Sequence, residues 1–358
     1  MKFLRPEHSF RRIIQHLDKI FIKNKNFDMK DTIIVVGSPR SGTTLLMEIL
    51  GVIPGYKSLF EPLSPLYYPE TIKVGFQPRT YRPPSVEWKE GEEYLKKIFT
   101  GNVIYDSSWL EKGDYTKDIF SEIITSYLDQ LKPDKIIHQL MGNKLLIKFI
   151  GLNRLLPWVT ERFQLRSIIF IIRHPCGYVA SRIKPGYKPP NGLSVNIKPF
   201  PTPEELFNEA SKIKGLDSSL LNRLKKIKTL DEILAASWCL DTYVPLSYQK
   251  SNLWTLVAYE KLIKEGEKEI KRLFNEIGEK KIPGSAYRHL KMPSSSTHKD
   301  QENIVKKADE QLSKWKKRLS KDQIERILDL VSAFGLDFYT KDLEPDYENI
   351  CIKKFKIL

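Results

Sequence analysis

The chain has 358 residues, 41% of them apolar, which allows a sizeable buried core and excludes a disordered polypeptide. Lys and Arg number 59 against 44 Asp and Glu, a formal charge of +15 that gathers anionic ligands; the lysines are spread along exposed helix-like runs and no nucleic-acid module is visible, so the charge does not point to DNA or RNA. No apolar run approaches the ~18 residues of a membrane span, the basic N-terminus lacks an apolar signal segment, and Cys176, Cys239 and Cys351 are too far apart to imply a disulfide framework, all of which is expected of a soluble cytoplasmic protein.

Residues 1–30 read as a basic amphipathic extension. Phe10, Ile13, Ile14, Leu17, Ile20 and Phe21 recur at helical spacing with Arg and Lys elsewhere. Packing on the core is the expectation, and a peripheral hold on anionic lipid or a partner is the alternative. Ile33–Val36 is a β-branched run suited to a strand buried on both faces. Gly37 and Gly42 bracket a loop, and Thr43 to Leu50 then has helical apolar spacing. Strand, glycine-bracketed loop and helix aim backbone N–H groups at a phosphate-like anion. The triphosphate form of this loop carries Lys after its second glycine. Here Thr43 follows Gly42, and the cation comes earlier as Arg40.

Glu61 lies in Leu59-Phe60-Glu61-Pro62-Leu63, 21 residues after Arg40, where the chain returns toward the strand ends. Phe60 and Pro62 would strip water from its carboxylate. Lys144 and Lys148 sit on a second apolar run, with a helix expected between it and a third run, Ser167 to Ile172. Arg173 ends that third run and Ser181 stands eight residues on. An arginine at a strand end offers a two-pronged fork for a phosphate dianion. Residues 182–230 read as an insertion between strands, irregular through its prolines and helical from Glu204 to Lys228, with Tyr187 and Phe200 as candidate lining of the site it would cap. Leu256-Val-Ala-Tyr259-Glu260 reads as a further strand end carrying an aromatic ring. Met292 to Asp300 is a polar loop before a long helical stretch, and 341–358 reads as a tail.

Pro39-Arg40-Ser41-Gly42-Thr43-Thr44 resembles the 5′-phosphosulfate loop of sulfotransferases that use 3′-phosphoadenosine 5′-phosphosulfate (PAPS), in the style of the tyrosylprotein and carbohydrate branches. Arg173 with Ser181 resembles the family's 3′-phosphate motif, although His174 stands where the family usually has Asp. The resemblance implies a P-loop NTPase-like α/β fold over residues 31–340: a central parallel β-sheet flanked by helices, with a helical insertion and C-terminal helices. It implies that residues 39–44 bind the phosphosulfate, that Arg173 and Ser181 bind the 3′-phosphate, and that Tyr259 lies near the adenine. It also implies a closing loop bearing Ser296 and Lys299, and Glu61 as general base. Arg40 and Lys148 (or Lys144) would stabilise charge at the leaving phosphate, with no metal required. The acceptor would be a hydroxyl of carbohydrate, lipid or tyrosine. His138 is the rival base.

Two other classes share parts of this pattern. A small-molecule kinase has the loop architecture but needs the missing lysine, and a non-catalytic anion-binding module needs only the loop. Cys176 to Arg182 matches the C-x5-R spacing of cysteine phosphatases, but it reads as a helix start and leaves the first loop unexplained.

Overall fold

The computed structural model describes residues 27–65, 68, 70–77, 79–103, 142–183, 200–248, 253–291 and 308–353. Its centre is a five-stranded, all-parallel sheet: β1 (Ile33–Gly37), β2 (Tyr56–Phe60), β3 (Lys144–Ile150), β4 (Ser167–Ile172) and β5 (Thr255–Ala258), in spatial order β2-β3-β1-β4-β5. The inner strands are runs of Ile, Val, Leu and Phe because both their faces are covered.

Period-two alternation divides these runs between two cores. Ile34, Val36, Ile147, Phe149, Phe170 and Ile172 join one apolar cluster, while Ile33, Val35, Leu146, Ile169 and Ile171 join the other. The second is closed by α1 (Thr43–Leu50), α7 (Tyr259–Glu265) and α8 (Glu267–Glu276). The first is closed by α2 (Lys89–Phe99), α3 (Pro175–Arg182), α4 (Pro203–Ala210), α5 (Ser218–Lys226), α6 (Leu230–Ser247) and α9 (Lys321–Ala333). The layering is the α/β arrangement expected from the sequence.

The connections diverge at β1. One leaves through α1 and lands beyond β3, and the passage from β3 to β4 crosses over β1. Lys148 and Arg173 therefore stand on parallel strands that are not neighbours. In an open parallel sheet this divergence opens a crevice beyond the carboxyl ends of the strands, and Gly37, at the end of β1, lies there.

The run expected as one helix from Glu204 to Lys228 is two. Gly215 takes a left-handed turn (φ 89°) and the Asp217 side chain restarts the chain as α5 by accepting from the Leu220 amide. Ile350, in the stretch expected as a tail, is buried in the same core as Phe338 and Tyr339. The amphipathic stripe at 7–24, His138, Tyr187, Ser296 and Lys299 lie outside the described residues. No described helix is long and apolar enough to cross a membrane.

Candidate functional site

The loop after β1 is held by its own turn and by two close glycine contacts. The Ser38 carbonyl accepts both the Ser41 amide (3.1 Å) and the Ser41 hydroxyl (2.7 Å). A Cβ on Gly37 would come within 2.6 Å of Ser41 Oγ and 2.8 Å of the Ile171 carbonyl. Gly42 combines a left-handed backbone (φ 99°) with the Tyr259 ring 2.5 Å from where a Cβ would stand. Only glycine meets both demands. Gly42 is also the N-cap of α1, and no side chain among the described residues caps that end. The helix thus begins with its amides and the positive end of its dipole directed out of the loop. Ser41, Thr43 and Thr44 are buried, whereas Pro39 and Arg40 are half-buried.

The second motif reaches the first. Arg173 Nη1 donates to the Arg40 carbonyl at 2.8 Å, and Arg40 Nε donates to Ser181 Oγ on α3 at 3.1 Å. Residues more than 130 positions apart in sequence thus form one hydrogen-bonded unit beyond the ends of β1 and β4. The Arg173 guanidinium also lies over the Tyr259 ring, 4.5 Å from its centroid, a favourable cation–π arrangement. Tyr259 therefore sits between the loop and Arg173, and its hydroxyl accepts from Gln311 Nε2 at 2.6 Å.

The strand end at Arg173 is braced by groups the sequence reading did not single out. Trp238 Nε1 of α6 donates to the Arg173 carbonyl at 3.0 Å. Glu260 accepts the His174 amide (2.8 Å) and the Tyr339 hydroxyl (2.9 Å). Burial raises the pKa of Glu260, against the pull of those hydrogen bonds and of Arg173. His174 explains its own substitution for Asp. Its Nδ1 accepts the Cys176 amide at 3.1 Å and so caps α3, as a carboxylate would. Nε2 then carries the proton and donates to the Thr340 carbonyl at 3.0 Å. The ring stacks on Trp315 at 4.5 Å. Burial above all, with Arg173 and Lys316 nearby, holds the His174 pKa down to about 3, so the imidazole is neutral.

Glu61 follows the last residue of β2, and its amide extends the ladder by donating to the Lys148 carbonyl at 2.9 Å. Its backbone is left-handed (φ 45°). Lys148 lies opposite Phe60 in register, with Nζ 2.5 Å from Glu61 Oε1 and 3.8 Å from the centroid of the Phe60 ring. Both side chains are nearly dry, 4% and 11% exposed. Glu61 Oε2 has no partner among the described residues. Lys144, the alternative lysine, opens β3 at the opposite end of the strand and pairs with Asp31 at 3.7 Å.

Cys176 is buried, and burial pushes its thiol up to about 12, which removes the thiolate that phosphatase chemistry requires. No group of three or more His, Cys, Asp or Glu among the described residues is arranged to hold a metal ion.

A buried polar cluster beneath the loop was also missed. Asp241, on α6 and fully buried, accepts Ser38 Oγ at 3.2 Å and Arg154 Nε at 2.8 Å, with Arg79 Nε at 3.6 Å. Its signal in the sequence was a lone carboxylate within the apolar run Leu234 to Leu246, since a charge in such a helix survives only when paired.

No family model matches the sequence, and no curated protein matches it. Among solved structures the chain is similar to the sulfotransferase domain of the Synechococcus PCC 7002 olefin synthase, with 16% identity and a TM-score of 0.40 over 87% of this chain and 96% of that one. It is likewise similar to the sulfotransferase domain of the curacin biosynthetic pathway, with 13% identity and a TM-score of 0.40 over 84% of this chain and 96% of that one.

Proposed function

We propose that the protein is a PAPS-dependent sulfotransferase acting on an acceptor hydroxyl of carbohydrate, lipid or tyrosine. The observation that carries this reading is the joining of two cationic motifs, through Arg173 to the Arg40 carbonyl and Arg40 to Ser181, in a sheet whose adjoining strands β2 and β3 carry a carboxylate–ammonium pair. One nucleotide with anionic groups at both its 5′ and 3′ positions suits two such centres, and a donor with a single phosphate end would leave one unused.

The residues fit such a donor. The uncapped start of α1 and the amides of residues 40–44 suit its 5′ end. Arg173 and Ser181 suit its 3′-phosphate, and the Tyr259 ring suits its base. When bound, the donor supplies a sulfuryl group to be passed to the acceptor oxygen. Glu61 Oε2 accepts the proton of that oxygen as it attacks. Lys148 fixes the other carboxylate oxygen and, with Arg40, brings positive charge toward the departing phosphate. Charge from Arg and Lys then does what a metal does in phosphoryl transfer. The described part of the insertion, α4 and α5, covers the acceptor side in this reading.

The test is a thermal-shift panel with 3′,5′-ADP, ADP and ATP. A ligand held at 100 times its Kd stabilises by about 2.7 kcal/mol through mass action. The expected order has 3′,5′-ADP well ahead, followed by passage of labelled sulfate from PAPS to an acceptor. A preference for ATP with Mg²⁺ would replace this reading with a kinase. Tight 3′,5′-ADP binding without transfer to any acceptor would replace it with a binding module.

A further inference from the structure

Three non-glycine residues among those described have left-handed backbones: Arg40 (φ 69°), Glu61 (φ 45°) and Arg79 (φ 68°). Two of them are the donor-loop arginine and the candidate base. Backbone strain of this kind survives where surrounding contacts over-determine it. Arg79 has no role in the site as built so far, yet it follows Glu61 in chain and its backbone lies over the end of β3. A Cβ on Gly151 would stand 3.5 Å from the Arg79 amide nitrogen.

The side chain of Arg79 runs inward, 11% exposed, to Asp241 Oδ2 and to the neighbourhood of the Tyr178 hydroxyl on α3. Asp241 does not need it for neutrality, because Arg154 already donates to Oδ1 at 2.8 Å. Arg154 in turn is shared with Glu209 on α4 and with the Ser237 carbonyl at 3.2 Å. Ser38 is the loop's link to this cluster. Its hydroxyl donates to Asp241 Oδ2 and accepts from Asn153 Nδ2 at 3.4 Å, while its carbonyl closes the 38–41 turn.

Asp241 therefore meets the donor loop, the segment after Glu61 and, through Arg154, the insertion helix. We propose that Asp241 and Arg79 are a positioning pair for the transfer reaction: Asp241 sets the donor loop through Ser38, and Arg79 ties that setting to the segment leading from Glu61. Neither touches the reacting atoms. The inference rests on the sulfotransferase reading and adds that donor affinity and turnover depend on a cluster buried beneath the loop.

Asp241 is a poor first variant, since its loss strands two guanidinium groups. Ser38→Ala cuts the loop's tie and leaves the ion pairs intact. Arg79→Gly removes the side chain while glycine keeps the left-handed backbone without steric strain, and Arg79→Lys restores the charge where glycine compromises folding. The full chain is assayed for 3′,5′-ADP binding, for kcat and KM, and for ligand-free Tm. Ser38→Ala should weaken 3′,5′-ADP about tenfold with only a small fall in ligand-free Tm, because Asp241 keeps Arg154 and Arg79 when the Ser38 hydroxyl is lost. Arg79→Gly should lower kcat about tenfold or more with a smaller change in acceptor KM, and Arg79→Lys should recover part of it. The double variant Ser38→Ala with Arg79→Gly should lose less than the product of the two single losses, because both act through one carboxylate. Independent, multiplying losses, or single variants that match the wild type, overturn the proposal. A wild-type chain that ignores 3′,5′-ADP overturns the sulfotransferase reading itself and is a separate result.

Discussion

At the scale of single residues, the proposed chemistry rests on the Glu61–Lys148 pair. A carboxylate held at one oxygen by a buried ammonium stays oriented, and in the proposed reading its second oxygen, unpartnered among the described residues, takes the acceptor proton. Glu61→Gln keeps an oxygen for Lys148 to donate to and removes the basic one. It should bind 3′,5′-ADP almost as the wild type does and lose turnover by about 10²–10⁴-fold, measured by sulfate transfer against isothermal binding. Full activity in that variant would eliminate Glu61 as the base. The same scale explains why two glycines are irreplaceable in the loop: Gly37 has Ile171 and Ser41 against it, and Gly42 has the Tyr259 ring.

The start of α3 is where a single element carries both structure and site. Its cap is an imidazole rather than a carboxylate, and that cap must be neutral to accept the Cys176 amide. His174 has a folded pKa of about 3 against an ordinary value of 6.5. Below pH 6.5 the unfolded chain takes up a proton that the folded one refuses. This contribution to stability is therefore complete above about pH 6.5 and is lost progressively as the pH falls toward 3. His174→Asp supplies a cap that needs no neutral imidazole but abandons the Trp315 stack and the Thr340 hydrogen bond. Urea midpoints should fall between pH 6.5 and 4.5 in the wild type, and the variant should be lower at pH 7.5 and less steep over that window. Parallel curves would show that His174 is not the titrating group. Because Arg173 precedes this cap directly, acid should also loosen the fork proposed for the 3′-phosphate.

At the scale of the molecule, the positive field and the sheet topology act together. The chain carries a net charge of +15, and the divergence of connections at β1 is where an open parallel sheet leaves a crevice beyond its strand ends. A donor with several negative charges is drawn by that field, and salt screens it over about 10 Å at 0.1 M. The Kd for 3′,5′-ADP should rise steadily from 50 to 500 mM NaCl, more steeply than for ADP, by titration calorimetry. Equal slopes would mean that the 3′-phosphate gains nothing from the cationic surroundings of Arg173.

Local sequence determined what short-range physics can determine. The β-branched run at 33–36, the glycine bracket at 37 and 42 and the helical spacing at 43–50 each depend on neighbours within a turn or a strand, and β1 and α1 were legible from them. The strand at 167–172 was read for the same reason, and its two-faced burial followed from its composition alone. The break at Gly215 was missed although its signals, Gly215 and the Asp217 cap, are local, whereas the burial of Ile350 was not legible because a packing partner is settled against the rest of the fold. Which lysine faces Glu61, why His stands at 174, and the meeting of Arg79, Asp241 and Ser38 depend on contacts between segments about 90 to 200 positions apart. Such pairings have no local periodicity to announce them. They exist only once burial of the two apolar sheet faces has brought the strand ends to a common edge, where a buried charge must find whichever partner the packing supplies.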